Sequence, residues 1–146
     1  MNASQEFSGG ESISDIAKAM NIYVAAFNTI NNNFDNISCV HSDSDTLNML
    51  ADITMVHENP VIAWINNTAG DINCVDGVTS LWKSEWDGTK WTSAELASAI
   101  GAVDSLSVAG EGSLAIYFSK DTDGNIDTID DKEIFKYYNG KIDQLT

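Results

Sequence analysis

An apolar stripe with alternating spacings of three and four residues is the feature that most constrains the fold of this chain. The stripe consists of Ile13, Ile16, Met20, Tyr23, Phe27, Ile30 and Phe34. Such spacing aligns side chains on one face of an α-helix. Ser12 is a favourable N-cap, and Asp15 lies in the capping-box position three residues later. The pattern predicts an amphipathic helix over residues 12–34, packed on a sheet or core, with a coiled-coil seam as the alternative.

The middle of the chain mixes helical and strand signals. A second helical pattern covers residues 47–54 and stops before Pro60, the only proline. Residues 61–65 are continuously apolar and predict a short buried strand. Residues 78–91 predict a β-hairpin around the Asp87-Gly88 pair. A further capping box opening at Thr92 predicts a short helix over residues 93–100.

The last third of the chain reads as an antiparallel β-meander. Strands are predicted at residues 105–109, 113–119, 133–138 and 141–145, with an acidic loop at 120–132. The Asn139-Gly140 pair is a strong signal for a two-residue hairpin turn. The predicted fold class is therefore α+β, a long N-terminal helix packed on a C-terminal antiparallel meander. Residues 12–146 form one domain in this interpretation, and residues 1–11 are disordered or were added by cloning.

The charge balance excludes several classes of function. The chain of 146 residues has 22 acidic residues against seven lysines, has no arginine, and carries a formal net charge of −15. Binding to nucleic acid or to an anionic membrane surface requires clustered cations, so neither is expected. No apolar run approaches the roughly 18 residues needed to cross a bilayer. The composition fits an extracytoplasmic protein, and a cation ligand is compatible with it.

Two cysteines bear on the compartment. Cys39 and Cys74 both lie in polar surroundings rich in Asn, Asp and Ser, whereas buried free cysteines usually have apolar neighbours. We therefore expect a Cys39–Cys74 disulfide, with two unrelated free thiols as the alternative. A disulfide implies an oxidising compartment, so the expected location is extracellular, on the cell surface or periplasmic.

The acidic loop is the sharpest candidate for a metal site. Its oxygen ligands for Ca²⁺ would be Asp121, Asp123, Asn125, Asp127, Asp130 and Asp131. Alternate carboxylates in a tight loop suit a hard cation, which takes six to eight oxygens. The loop begins like a calcium-hand loop but has Ile126 and Lys132 where that pattern requires Gly and Glu. The alternative is a solvated acidic turn, because Asp, Asn and Gly are also preferred turn residues.

Aromatic residues form a second candidate site. Trp82, Trp86 and Trp91 cluster around one predicted hairpin beside Glu85 and Asp87. Exposed aromatic rings with acidic neighbours can hold sugars, but indoles also close the core of small domains.

Catalysis has little support in the sequence. The chain has no recognisable catalytic motif, and its only histidines, His41 and His57, are not spaced for a nucleophilic site. We predict no catalytic residues and no enzymatic activity. A hydrolase using Glu85 and Asp87 is the remaining enzymatic alternative.

The stripe, the cysteine pair and the C-terminal segments together resemble the soluble part of a type IV pilin or type II secretion pseudopilin. The closest stretches are residues 114–119, 121–125 and 133–143. The family's glycine cleavage site, followed by Phe and an apolar helix, is not present, since Ser-Gly-Gly follows Glu6-Phe7. The resemblance therefore implies that this membrane helix was removed.

The resemblance implies a non-enzymatic structural subunit of a cell-surface filament or secretion pseudopilus. Its partners would be other pilin-like subunits or further copies of itself, with a role in cell adhesion and with Ca²⁺ as a candidate stabilising ion. The alternative is a secreted, calcium-dependent module that binds a glycan or a protein.

Overall fold

The protein is an all-β molecule, which overturns the predicted α+β fold and the pilin-like resemblance. The computed structural model describes residue 10 and residues 12–43, 45–110, 112–123 and 131–145. The predicted features of residues 1–9 and 11 lie outside these ranges. Within these ranges, ten strands form three antiparallel sheets, and the helix α1 spans only Ile13–Ala17. The long N-terminal helix that defines the pilin comparison is not formed.

The apolar stripe is divided among three elements. The predicted capping box of Ser12 and Asp15 is confirmed at the start of α1, but β1 begins at once as Ile22–Asn28 and β2 follows as Asn33–His41. β-Branched and aromatic residues dominate this part of the stripe, and they favour pleated strands. The Asn-rich turn between the strands includes Asn32 at φ 52°, a conformation that Asn tolerates. Tertiary packing of the strands therefore overrides the helical spacing.

The central sheet contains both segments that were wrongly predicted as helices. Its strands are β3 (Leu47–Val56), β4 (Asn59–Asn67), β5 (Thr79–Trp86) and β6 (Trp91–Ala97), in that spatial order. The helix predicted over residues 47–54 is β3, and most of the one predicted over 93–100 is β6. The predicted strand at 61–65 and the hairpin at 78–91 are confirmed as parts of β4 and β5–β6.

The C-terminal meander is confirmed. Its strands are β7 (Val103–Gly110), β8 (Leu114–Asp121), β9 (Lys132–Tyr138) and β10 (Lys141–Gln144), and neighbours along the chain pair with each other. Asn139 and Gly140 have φ values of 49° and 80°, and two positive φ values suit a tight hairpin turn.

Strand β4 lies between two hydrophobic clusters, which gives the protein three layers. On one face, Ala63 and Ile65 pack with residues of the meander such as Ile116 and Phe118. On the other face, Ile62 and Trp64 pack with apolar residues of the β1–β2 hairpin. All residues from 61 to 67 are buried, as expected for a strand covered on both faces.

Strands β3 and β7, each at the edge of its own sheet, meet at a corner of the molecule. The Asp52 carboxylate accepts a hydrogen bond from the Val108 backbone amide. Further along, a Cβ on Gly110 would collide with the carbonyl group of Met55, so only glycine allows this approach. The two larger sheets are thereby held together along one side.

Candidate functional site

The described part of the acidic loop brings three carboxylates together. Asp121 ends β8 and is buried, Asp123 is exposed, and Asp131 immediately precedes β9. One ligand oxygen from each lies within 4.8 Å of the others. The remaining predicted ligands, Asn125, Asp127 and Asp130, lie outside the described residues.

A lysine lies next to these carboxylates. Lys132 forms an ion pair of 2.6 Å with Asp104 on β7, and its pKa is raised first by that hydrogen bond and further by the charges of Asp104, Asp121 and Asp131. Burial opposes ionisation of Asp104, but hydrogen bonds from Lys132 and Ser119 outweigh it and lower its pKa. The chain itself thus supplies a cation beside the acidic group, and acidic clusters of this kind also occur without a metal.

The three tryptophans of the predicted platform, Trp82, Trp86 and Trp91, are all half-buried. Trp82 is half-buried and packs on the cluster around Trp64, whose side chain is fully buried. Trp86 and Trp91 are directly opposite each other across β5 and β6, with ring centroids 5.7 Å apart, and both are half-buried. Each of the three indoles therefore has part of its surface covered by another aromatic side chain.

The two histidines occupy different environments. The ring of His41, at the end of β2, packs against Trp64 and Trp82 with centroid distances of 5.2 and 4.9 Å. Burial lowers the pKa of His41, although the charge of Asp43 partly opposes this shift. His57 is exposed in the turn between β3 and β4. The aromatic surroundings of His41 thus disfavour the charged form of its ring.

The predicted disulfide is not formed in the structure. Cys39 is exposed on β2, where it lies directly opposite Tyr23. Cys74 is buried in the core beneath the central sheet, in the loop after β4, and burial raises the pKa of its thiol. Both are free thiols.

An exposed apolar surface lies on the β1–β2 hairpin, and the sequence analysis did not identify it. Ile22 and Val24 point toward Trp64 and its neighbours, so alternation along β1 directs Tyr23 and Phe27 outward. Phe34 is the direct partner of Phe27, and their ring centroids are 5.2 Å apart. We define the hairpin face as Tyr23, Phe27, Phe34 and Ile37. These side chains are between 41% and 71% exposed.

A groove separates this hairpin from the central sheet. Its volume is about 290 Å³, and β1 residues 22–25 form one wall while Ala51, Asp52 and Ile53 of β3 form the other. Ile62 of β4 contributes to the apolar lining. Among the described strands, β1 is hydrogen-bonded to β2 alone. The groove is therefore bordered by the free edge of a β-strand.

The charges around the groove are of one sign. The sequence contains no lysine or arginine between Ala19 and Trp82. The same stretch contains seven acidic residues, namely Asp35, Asp43, Asp45, Asp52, Glu58, Asp71 and Asp76. This stretch includes all of β1 to β4, so the hairpin and the adjoining half of the central sheet carry acidic side chains but no lysine or arginine.

No family model, curated protein or solved structure matches this chain. In the described ranges, the structure has no helix with the length and apolar character required to cross a membrane.

Proposed function

We propose that this protein is a non-enzymatic binding module that takes a protein partner on the hairpin face. The observation that carries the proposal is the exposure of four large apolar side chains on a single hairpin. Contiguous exposed apolar surface is typical of sites that bind other proteins. In a chain with a net charge of −15, such a surface is a marked local departure from the general composition.

Aromatic content supports a protein partner over a glycan. Phe27 and Phe34 present ring surface on this hairpin, and aromatic residues are enriched in the buried centres of protein interfaces. The tryptophans that were candidates for sugar binding are half-buried against one another or against His41. The filament interpretation rested on a pilin-like fold that the structure overturns, so the hairpin face now provides the basis for a binding role.

The placement of the titratable groups favours binding over catalysis. His41 is packed among indoles, and His57 is in a separate exposed turn. Glu85, one of the two carboxylates considered for a hydrolase, forms an ion pair of 3.4 Å with Lys83. The other, Asp87, accepts hydrogen bonds from Thr89 and from the amide of Lys90, which is the usual role of Asp in a turn.

Affinity capture with matched variants tests the proposal. The double variant Phe34→Ser/Ile37→Ser removes apolar surface from the hairpin face, while Ile72→Ser/Val75→Ser removes comparably exposed side chains from the loop after β4. Each protein is immobilised and exposed to an extract of its source, and retained proteins are identified by mass spectrometry and confirmed with purified components. We expect a stoichiometric partner on the wild type and the loop variant that is lost from the hairpin variant.

Two results would contradict the proposal. Retention of the same partner by the hairpin variant would place the binding surface elsewhere. Binding of the wild type to a glycan array, abolished by Trp86→Ala but unchanged in the hairpin variant, would assign a carbohydrate ligand instead.

A further inference from the structure

We infer that the free edge of β1 binds an extended, basic segment of the partner by β-strand addition. This inference rests on the proposed function and specifies how the partner is held. In β-strand addition, a peptide extends a sheet through main-chain hydrogen bonds, and pockets for alternate side chains select its sequence.

The groove provides the geometry for such a strand. One wall is the edge of β1, whose residues already pair with β2 at six of seven positions. Amide and carbonyl groups on an unpaired edge are a template for another strand. The groove is lined by Ile53 and Ile62, so an added strand would direct every second side chain onto an apolar surface.

The charge of the surroundings specifies the other side chains of that strand. Strands β1 to β4 contain no lysine or arginine, and the stretch from Ala19 to Trp82 that includes them contains seven acidic residues. Complementary charge across an interface selects partners and accelerates their association. The expected occupant therefore alternates apolar residues with lysine or arginine. A second copy of this chain fits poorly, because two such surfaces would repel each other.

The hairpin face and the groove form a continuous surface. Tyr23 belongs to the hairpin face and also lines the groove. A partner that pairs with β1 can therefore cover the exposed aromatic rings with adjoining parts of its own structure.

A synthetic nine-residue peptide that alternates lysine with valine is a suitable probe. Its control has the same composition but an order of residues that places both types on both faces of a strand. Hydrogen exchange is followed at single amides in 150 mM NaCl. At this ionic strength the Debye length is about 8 Å, so non-specific charge attraction between exposed groups is weakened. We expect the alternating peptide, and not its control, to slow exchange at those β1 amides that do not pair with β2.

Two equally exposed residues of β3 provide matched variants. Ile53 lines the groove, whereas Met55 lies two residues along the same strand and is outside the lining; both side chains are 52% exposed. Ile53→Lys should weaken peptide binding about tenfold, equivalent to 1.4 kcal/mol, while Met55→Lys should change it little. If either lysine variant does not fold, the pair Ile53→Thr and Met55→Thr makes the same comparison.

Several outcomes would overturn the inference. Equal weakening by the Ile53 and Met55 variants would indicate general charge attraction. Slowed β1 exchange in a dimer of the protein without peptide would show that a second copy takes the edge. In the capture experiment, loss of the natural partner from the hairpin-face variant but not from Ile53→Lys would refute the edge inference and leave the proposed function intact.

Discussion

The Asp52 carboxylate on β3 accepts a hydrogen bond of 2.9 Å from the Val108 backbone amide on β7. These strands are at the edges of different sheets, so this bond connects two sheets that do not otherwise pair as a ladder. Hydrogen bonds to charged groups are worth about 1.5–3 kcal/mol.

We therefore expect Asp52→Ala to lower the free energy of unfolding by about 2 kcal/mol, measured by urea denaturation. Asp52→Asn is the control, because its side-chain oxygen can still accept the Val108 bond, and it should lose less. If the urea midpoint of Asp52→Ala equals that of the wild type, the contact contributes nothing to stability.

A buried asparagine should be essential to the hairpin side of the molecule. The Asn48 side-chain oxygen accepts hydrogen bonds from the Trp64 indole and the Asn66 amide, and its own amide donates to the Met20 carbonyl. Asn48→Ala would deprive all three groups of this partner inside the protein, at a cost of about 3 kcal/mol.

Thermal or urea unfolding measures this loss, with the exposed Asn31→Ala as the matched control. The control should remain within about 0.5 kcal/mol of the wild type. Equal stability of the two variants would disprove a structural role for the Asn48 network.

Stability should fall as the pH decreases through the titration range of histidine. Burial holds the pKa of His41 below its ordinary value of 6.5, so the unfolded chain binds this proton more readily than the folded chain. The contribution of neutral His41 is fully present above pH 6.5 and is lost as the pH falls toward its lower folded pKa.

Urea unfolding at a series of pH values between 7.5 and 5.5 tests this. The decrease in unfolding free energy with falling pH should be smaller in His41→Gln than in the wild type. It should be retained in His57→Gln, since His57 is exposed. A pH dependence that remains in His41→Gln would assign it to other groups.

The two thiols should differ strongly in reactivity. Cys39 is exposed, whereas Cys74 is only 3% exposed and its pKa is raised by burial. Because the thiolate is the reactive form, alkylation of the folded protein should modify Cys39 well before Cys74. Intact mass spectrometry without a reducing agent should show one label in the native protein and two in denaturant. No label in denaturant would demonstrate a disulfide and contradict the free thiols.

Local turn chemistry in this sequence was predictable, but the N-terminal fold was not. Asn139-Gly140 specifies its hairpin through residues that tolerate positive φ, independently of the rest of the chain. The spacing of apolar residues from Ile13 to Phe34 is that of an α-helix. The strands β1 and β2 form instead because Ile22 and Val40 become buried against the central sheet. That gain depends on β4 and β5, which lie further along the chain, and a local pattern does not contain it.

Of the candidate sites, one could likewise be predicted from the sequence and one could not. The carboxylates of Asp121, Asp123 and Asp131 are close in sequence and in space, so their proximity could be predicted. The hairpin face could not, because the same aromatic residues were assigned to the buried side of a helix. Whether Phe27 and Phe34 are covered or exposed depends on which layer lies above them, and that is a property of the whole fold.

The double burial of β4 has a consequence for misfolding. A slip of this strand by one residue would move the Trp64 indole to the face that now accommodates Ala63, and leave a methyl group in place of the indole. Both clusters would be disrupted in one step, one overfilled and the other hollow. The register of β4 is therefore fixed by packing on both of its faces, and each hydrophobic cluster separately disfavours conformers with a shifted β4 during folding.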